Sequence, residues 1–138
     1  MGKALLYRLF GLGKIPQRVL PALEQEGIVL LDEGIGGSVT FRNFRSPGRH
    51  SFWRRNWFTG SLVLTGGRFA AFAFSKPIIN VPLGDDRLGQ LRCSLEGETT
   101  LCVEFDAAAF HEGWSGSLEC RFSTPQARLF LEQLSSRR

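Results

Sequence analysis

Hydrophobic and polar residues alternate along most of the chain from residue 28 onward, which is the period of β-strands and not of helices. In the segment Ser38–Phe44, for example, Val39 and Phe41 alternate with Thr40 and Arg42. Similar short runs recur as far as residue 123, separated by segments that contain glycine or proline. The pattern therefore predicts about seven or eight short strands, joined mainly by hairpins.

Four segments are predicted to be turns because they are rich in glycine, proline or serine. They are Gly34–Gly37, Ser46–Gly48, Gly66–Gly67 and Gly113–Ser115. The first of these turns separates a strand at Ile28–Asp32 from the strand at Ser38–Phe44. Pro77 and Pro82 flank another apolar run, and proline cannot donate a hydrogen bond to a neighbouring strand, so Lys76–Val81 is predicted at a sheet edge.

Helical spacing is confined to the two ends of the chain. The apolar residues of segment 3–12 share one helical face, and Pro21–Glu26 forms a short helix that ends at Gly27. Thr124 is predicted as an N-cap and Pro125 as the first residue of a final helix. Four apolar residues of that helix then follow at positions i, i+3, i+4 and i+7, namely Ala127, Phe130, Leu131 and Leu134.

These elements predict a mainly β (α+β) fold in a single domain. We expect a strongly bent antiparallel sheet or partly open barrel of about seven strands, capped by the C-terminal helix. Residues 28–138 form this domain, and residues 1–27 form an N-terminal helical extension. That extension is interpreted either as helices packed on the domain or as a basic amphipathic helix at a membrane interface.

Charge is distributed unevenly along the chain, although the net formal charge is only +4. Between Gly34 and Gly84 there are seven basic residues and no acidic one, whereas the remainder of the chain after Gly84 has an excess of acids. Such a stretch attracts phosphates, anionic lipids or an acidic protein. The alternative is that it faces the acidic C-terminal part of the same chain.

Five arginines and six aromatic residues are interleaved between Phe41 and Phe58. The arginines, which are the candidate anion-binding residues, are Arg42, Arg45, Arg49, Arg54 and Arg55. Guanidinium groups suit phosphate oxygens, and aromatic rings stack on bases or insert at a membrane interface. In the alternative interpretation, Phe41, Phe52 and Trp57 belong to the core, and the arginines form the solvated side of two strands or stack on those rings.

No catalytic constellation emerges from the sequence. Asp106, His111 and Ser115 can be written as a triad, but no nucleophile elbow surrounds the serine and all three residues come from one short region. Gly34–Gly37 lacks the continuation and the helix that a dinucleotide site needs. We therefore predict a protein that is not an enzyme, with no metal and no cofactor.

Compartment is predicted from the cysteines and from hydropathy. The three cysteines are an odd number with no zinc-like spacing, and Cys93 and Cys120 alternate in register with apolar residues, as buried thiols do. No apolar run approaches the roughly 18 residues that a membrane-spanning helix needs. A cytoplasmic location is predicted, with peripheral attachment at the inner membrane left open.

From about Ser38 to Leu134 the chain resembles a pleckstrin-homology-like (PH-like) domain, in particular the GRAM-like and bacterial members. The resemblance rests on the segments Trp53–Phe58 and Gly60–Phe69 and on the capped C-terminal helix. It implies that the first strand, the next loop and the second strand hold a phosphoinositide head group, at the positions of the five arginines. The chain departs from the family in having no lysine at the end of the first strand and no tryptophan in the final helix.

These observations lead to one main functional hypothesis and two alternatives. The main hypothesis is a non-enzymatic binding module of PH-like fold that presents the basic segment 42–55 to an anionic ligand such as a phospholipid head group. The first alternative is a protein–protein interaction module, paired through a sheet edge or groove, in which the arginines are structural. Nucleic acid is the less favoured partner, and the oligomeric state is left open.

Overall fold

The computed structural model describes residues 14–137 as one mainly β domain. Its seven strands are β1 (Ile28–Ser46), β2 (Arg49–Thr65), β3 (Arg68–Ala73), β4 (Lys76–Pro82), β5 (Arg92–Leu95), β6 (Thr100–Asp106) and β7 (Ser115–Ser123). Its helices are α1 (Leu20–Glu26), the single turn α2 (Ala107–Phe110) and α3 (Ala127–Ser136), with a 3₁₀ helix at Asp86–Gln90. The helix predicted at residues 3–12 lies outside the described residues, so the division at residue 27 stays a prediction.

The strands form one antiparallel sheet in the order β4-β3-β2-β1-β7-β6-β5, curled into a half-barrel. This confirms the predicted fold class of a strongly bent antiparallel sheet with a C-terminal helix. The two-residue turn at Gly66–Gly67 and the edge position of β4 are also confirmed. Because β1 pairs with β2 on one side and β7 on the other, it joins the two halves of the sheet.

The predicted turn at Gly34–Gly37 is wrong, because β1 continues through these four residues. The register with β2 shifts between Glu33 and Ile35, and Gly34 has a φ of 70°. An extra residue with positive φ is the mark of a β-bulge, which bends a strand without ending it. The glycines therefore curve β1 around the core, and the two strands predicted on either side are one. Its partner β2 likewise runs without a break from Arg49 to Thr65.

Gly37 also permits a close approach between β1, β7 and β2. A Cβ atom at this position would lie 2.6 Å from the Arg121 carbonyl oxygen and 2.7 Å from the ring of Phe58. The Phe58 ring packs edge-on against Phe122, with 5.8 Å between the ring centroids. Only a residue without a side chain leaves the Phe58 ring this space next to the backbone.

The core fills the inside of the curl, and α3 covers one end of it. Ala127, Phe130 and Leu134 of α3 are buried there, and the Phe130 ring lies 6.4 Å from that of Phe69. The helix begins later than predicted, with Gln126 and not Thr124 as its N-cap. The Thr124 hydroxyl instead donates to a carboxylate oxygen of Asp32 (2.6 Å) and accepts from the Gln126 backbone N–H (3.1 Å). It therefore anchors the start of the helix to β1.

A smaller apolar cluster lies on the outer face of β2 and β3. There Ile15 and Leu23 pack against Val63, Ala70 and Phe72. Alternation along β2 explains this second cluster, since Leu62 and Leu64 face the main core while Val63 points the other way. The described part of the N-terminal extension is therefore packed on the sheet.

Candidate functional site

The candidate arginines lie in a long hairpin formed by β1 and β2, in which β1 pairs with β7 as far as Arg45 whereas β2 extends beyond the end of β3. The strand β2 begins at Arg49, but β3 pairs with it only over Gly60–Leu64. The stretch Arg49–Phe58 therefore has a strand neighbour on one side only. The hairpin turn is Pro47–Gly48, at the end of the predicted turn Ser46–Gly48.

Arg42 is held by carboxylates from the C-terminal half of the chain. Its guanidinium lies 3.1 Å from Glu119 on β7 and 3.7 Å from Glu104 on β6. Arg68, at the start of β3, is likewise paired with Glu26 at 3.0 Å. The interpretation that the basic stretch faces the acidic C-terminal part of the chain is therefore correct for Arg42, whereas Arg68 is paired with a carboxylate from the N-terminal part.

Arg54 and Arg55 are neighbours in β2 and point to opposite faces of the sheet, as successive strand residues do. The Arg54 guanidinium lies over the Phe41 ring, 4.6 Å from its centroid, and its Nε is buried without a hydrogen-bond partner. Arg55 donates from Nε to the Thr40 hydroxyl at 2.9 Å and lies over Trp53. Both lie against an aromatic ring, and within residues 14–137 neither forms an ion pair with a carboxylate. The pKa of Glu96, which a hydrogen bond from Arg121 lowers, is nevertheless lowered further by the charge of Arg55.

Arg45 and Arg49 are exposed at the tip of the hairpin, next to exposed His50. Within residues 14–137, neither side chain has an ion-pair or hydrogen-bond partner. The structure thus separates the five candidate arginines by environment. One is ion-paired, two stack on rings, and two are free at the tip.

The hairpin also exposes three of its six large aromatic side chains. Phe52 is 79% exposed, Trp57 72% and Trp53 55%. The interpretation that Phe52 and Trp57 are core residues is therefore wrong, although Phe41 is half-buried against the core as that interpretation expected. The alternating pattern could not reveal this difference, because it does not show where β3 stops pairing with β2.

A half-open cavity of about 510 Å³ lies at the corner of the half-barrel beside this hairpin. Its walls come from the inner faces of β1 and β2, from the β3–β4 turn and from the segment between α2 and β7. The sequence did not point to this cavity. Its wall brings together residues far apart in the chain, such as Phe41, Phe74 and Trp114.

A second, shallower groove of about 610 Å³ lies on the outer face, between Trp57, Arg55 and Arg121. Arg121 forms an ion pair with Glu96 and another with Glu119. The hydrogen bond from Arg121 lowers the pKa of Glu96, and the same bond raises the pKa of Arg121. The cationic side of this groove is thus largely neutralised by the protein itself.

The residues of the conceivable triad are engaged elsewhere. His111 donates from Nε2 to the Ile78 carbonyl oxygen at 3.0 Å, and its ring stacks on Trp114. Asp106 forms an ion pair with Arg92 at 3.8 Å, and Ser115 is exposed at the start of β7. In the described part of the chain, no hydrogen bond connects these three side chains in the way that a triad requires.

None of the three cysteines forms a disulfide, and burial raises the pKa of two of them. The pKa of Cys120 rises to about 12 and that of Cys102 to about 11. Cys120 is fully buried as predicted, and Cys93 is partly buried against the core. Among residues 14–137, no three His, Cys, Asp or Glu side chains are grouped so that they could hold a metal ion.

Comparisons of the chain with protein-family models, curated proteins and solved structures found no match. What is shown is therefore the curled seven-stranded half-barrel, and the resemblance to PH-like domains stays a prediction. Of the helices formed by residues 14–137, none is long and apolar enough to cross a membrane.

Proposed function

We propose that this protein is a non-enzymatic binding module of PH-like fold that docks its β1–β2 hairpin on an anionic phospholipid surface. The observation that carries the proposal is that exposed aromatic residues and free arginines lie on the same hairpin. Phe52, Trp53 and Trp57 are exposed on the same hairpin as the two free arginines, Arg45 and Arg49.

The exposed aromatic rings and the free arginines each favour binding to a membrane surface. Tryptophan is enriched at the interface between water and hydrocarbon because its ring is amphipathic. Basic side chains near an anionic leaflet contribute on the order of 1 kcal/mol each. Exposing several large apolar side chains to water is unfavourable unless another molecule covers them. Together with the neighbouring free arginines, this exposure favours a binding role.

The PH-like assignment is supported by the architecture together with the sequence resemblance. A bent antiparallel sheet of seven strands with a C-terminal helix over one end is what the resemblance implies. On this assignment the ligand-binding region is the first hairpin. Arg45 and Arg49 are proposed to contact the lipid phosphates first, with Arg54 and Arg55 contributing from the two faces of β2.

One observation favours a second function, a protein-interaction module. On the side of β2 that faces away from β1, no strand of the described residues pairs with Arg49–Phe58. Unpaired strand edges accept an added strand from another chain. A peptide bound in this way would depend on backbone hydrogen bonds and would be less sensitive to salt than a lipid surface.

Sedimentation with liposomes tests the main proposal. We expect the protein to pellet with phosphatidylglycerol vesicles and not with phosphatidylcholine vesicles, and to bind less as salt is raised from about 50 to about 300 mM, since this range shortens the screening length. Replacing both free arginines in Arg45→Ala/Arg49→Ala is expected to weaken vesicle binding about tenfold or more, through the loss of two charges.

A variant of the same net charge tests whether the position of the arginines matters for vesicle binding, or only their number. Arg18→Ala/Arg128→Ala removes two exposed arginines from outside the hairpin and should bind anionic vesicles nearly as well as the parent protein. Arg42→Ala should also bind nearly normally, because that guanidinium is already ion-paired. Equal loss in all three variants would show non-specific attraction, and no binding of the parent protein to either vesicle would favour the protein-interaction module.

A further inference from the structure

We infer that the corner cavity binds a single hydrocarbon chain that carries an anionic head group. The ligand is a fatty acid or one acyl chain of an anionic phospholipid, since both present the same chemistry. If the ligand is a phospholipid acyl chain, this inference rests on the proposed membrane function; if it is a free fatty acid, it does not. It deepens that function by adding a buried site next to the docking hairpin.

The lining of the cavity is almost entirely apolar. Its inner wall is formed by Val39, Phe41 and Phe58 from β1 and β2 together with Leu118 from β7. Ala73, Phe74 and Ile78 close it on the β3–β4 side, and Trp114 on the side of the segment that precedes β7. A volume of about 510 Å³ falls in the range of roughly 300–1,000 Å³ typical of small-molecule sites.

The polar side chains on the cavity wall are Lys76, His111 and Asn56. The Arg54 guanidinium lies over the ring of Phe41, which is also part of the wall. The side chain of His111 is occupied by its hydrogen bond to the Ile78 carbonyl. No acidic residue lines the cavity. An apolar volume with cations at its edge is complementary to an anionic amphiphile.

Backbone strain marks the rim of the same cavity. Phe74 has a φ of 56°, a conformation that a bulky side chain rarely adopts. Its ring is partly exposed at the cavity rim. The turn therefore holds an aromatic ring at the mouth at a cost in backbone energy, and such outliers concentrate at ligand-binding sites.

Quenching of tryptophan fluorescence by bromine tests the inference, since bromine quenches a tryptophan that it contacts. In Trp53→Phe/Trp57→Phe the only remaining tryptophan is Trp114, which lies in the cavity wall. Bromododecanoate is expected to quench Trp114 in a saturable manner, and neutral bromododecanol to do so more weakly. Vesicles of phosphatidylglycerol brominated on one chain form the second arm, which distinguishes a membrane lipid from a free amphiphile.

Two pairs of variants, made in this reporter background, assign the binding to the cavity. Ala73→Leu fills the cavity and should weaken the binding measured by quenching at least tenfold. Ala108→Leu, at an exposed position of α2, should leave this binding unchanged. Lys76→Gln should weaken binding of bromododecanoate about threefold to fivefold, as expected for a rim charge, and Arg128→Gln should not. Because Lys76 is exposed, its variant remains informative if Ala73→Leu fails to fold.

The outcomes separate this inference from the proposed function. Quenching by bromododecanoate that Ala73→Leu or Lys76→Gln reduces supports a free amphiphile, and quenching in brominated vesicles alone supports a membrane acyl chain. If Trp53→Phe/Trp57→Phe, which keeps aromatic rings at both positions, itself sediments with the vesicles but Trp114 is quenched in neither arm, the cavity inference is overturned and the docking proposal stands. If neither Ala73→Leu nor Lys76→Gln changes the quenching, the inferred site is overturned. If bromododecanol quenches as strongly as bromododecanoate, the inferred preference for an anionic head group is overturned.

Discussion

The two ends of the half-barrel use the same kind of residue in opposite ways. At the end covered by α3, Phe130 and Leu134 are fully buried in the main core. At the hairpin end, Phe52 and Trp57 are exposed to solvent over most of their surface. The comparison shows that this protein places aromatic residues both where they stabilise the fold and where they are free to bind a partner.

The difference arises from what covers each end of the curl. The helix α3 packs its apolar side over the end near β5 and β6. At the other end, β3 stops at Ala73 and pairs with β2 no further than Gly60, whereas β2 continues back to Arg49. No described strand covers the outer edge of β2 between Arg49 and Trp57, so the exposed side chains of Phe52 and Trp57 contribute little to folding.

The largest effect that the comparison predicts is on stability at the helix-covered end. Phe130→Ala should reduce the free energy of unfolding by about 3–5 kcal/mol, because it removes a fully buried ring and leaves a cavity. Phe52→Ala is the matched substitution at the hairpin end and should change it by less than about 0.5 kcal/mol. Urea denaturation followed by circular dichroism measures both. A similar loss in the two variants would mean that the hairpin is part of the core.

A smaller effect is expected at the bend of β1 that lies between the two ends. Gly37→Ala should cost about 1–3 kcal/mol, because its Cβ would collide with the Phe58 ring and the Arg121 carbonyl. The neighbouring Gly36→Ala meets nothing within 4 Å and should be neutral or stabilising by up to about 1 kcal/mol. The same denaturation experiment compares the two. Equal destabilisation would indicate that strand curvature, and not the close approach, requires glycine.

The smallest effect is expected from the thiol buried between the two ends, and it depends on pH. Burial raises the pKa of Cys120 to about 12 from the ordinary 9.0 of a cysteine thiol, so the unfolded state releases the proton first. The resulting stability is complete below about pH 9 and is lost as pH rises towards 12. The urea midpoint of Cys120→Ala should therefore fall less than that of the parent protein between about pH 9 and about pH 10.5. Parallel profiles would show that this thiol is not the group responsible.

Local chemistry explains why much of the fold could be predicted. Alternation identified the strands around Val39 and Val103, and glycine pairing identified the Gly66–Gly67 turn. The prolines of β4 identified an edge strand. The prediction failed at Gly34–Gly37, because glycine permits both a turn and a bulge. Which of the two forms depends on whether the facing strand continues, as β2 does here.

The candidate site was predicted less completely than the fold. The hairpin and its arginines were identified from the sequence, but their environments were not. Arg42 and Arg45 are three residues apart in one basic segment, yet only Arg42 meets carboxylates, because β7 and β6 bring Glu119 and Glu104 beside it. The corner cavity was not predicted at all, since its wall is assembled from distant segments.

The sequence by itself determined the strands, most turns, the C-terminal helix and the basic, aromatic character of segment 41–58. These properties depend on period, backbone preference and composition, which act over a few neighbouring residues. Only the tertiary structure decided that β1 is one bent strand, that Phe52 and Trp57 are exposed, and that Arg45 and Arg49 are free. Such outcomes depend on which strands pair and how far each pairing extends. Pairing joins residues that are far apart in the chain, so local sequence patterns do not determine it.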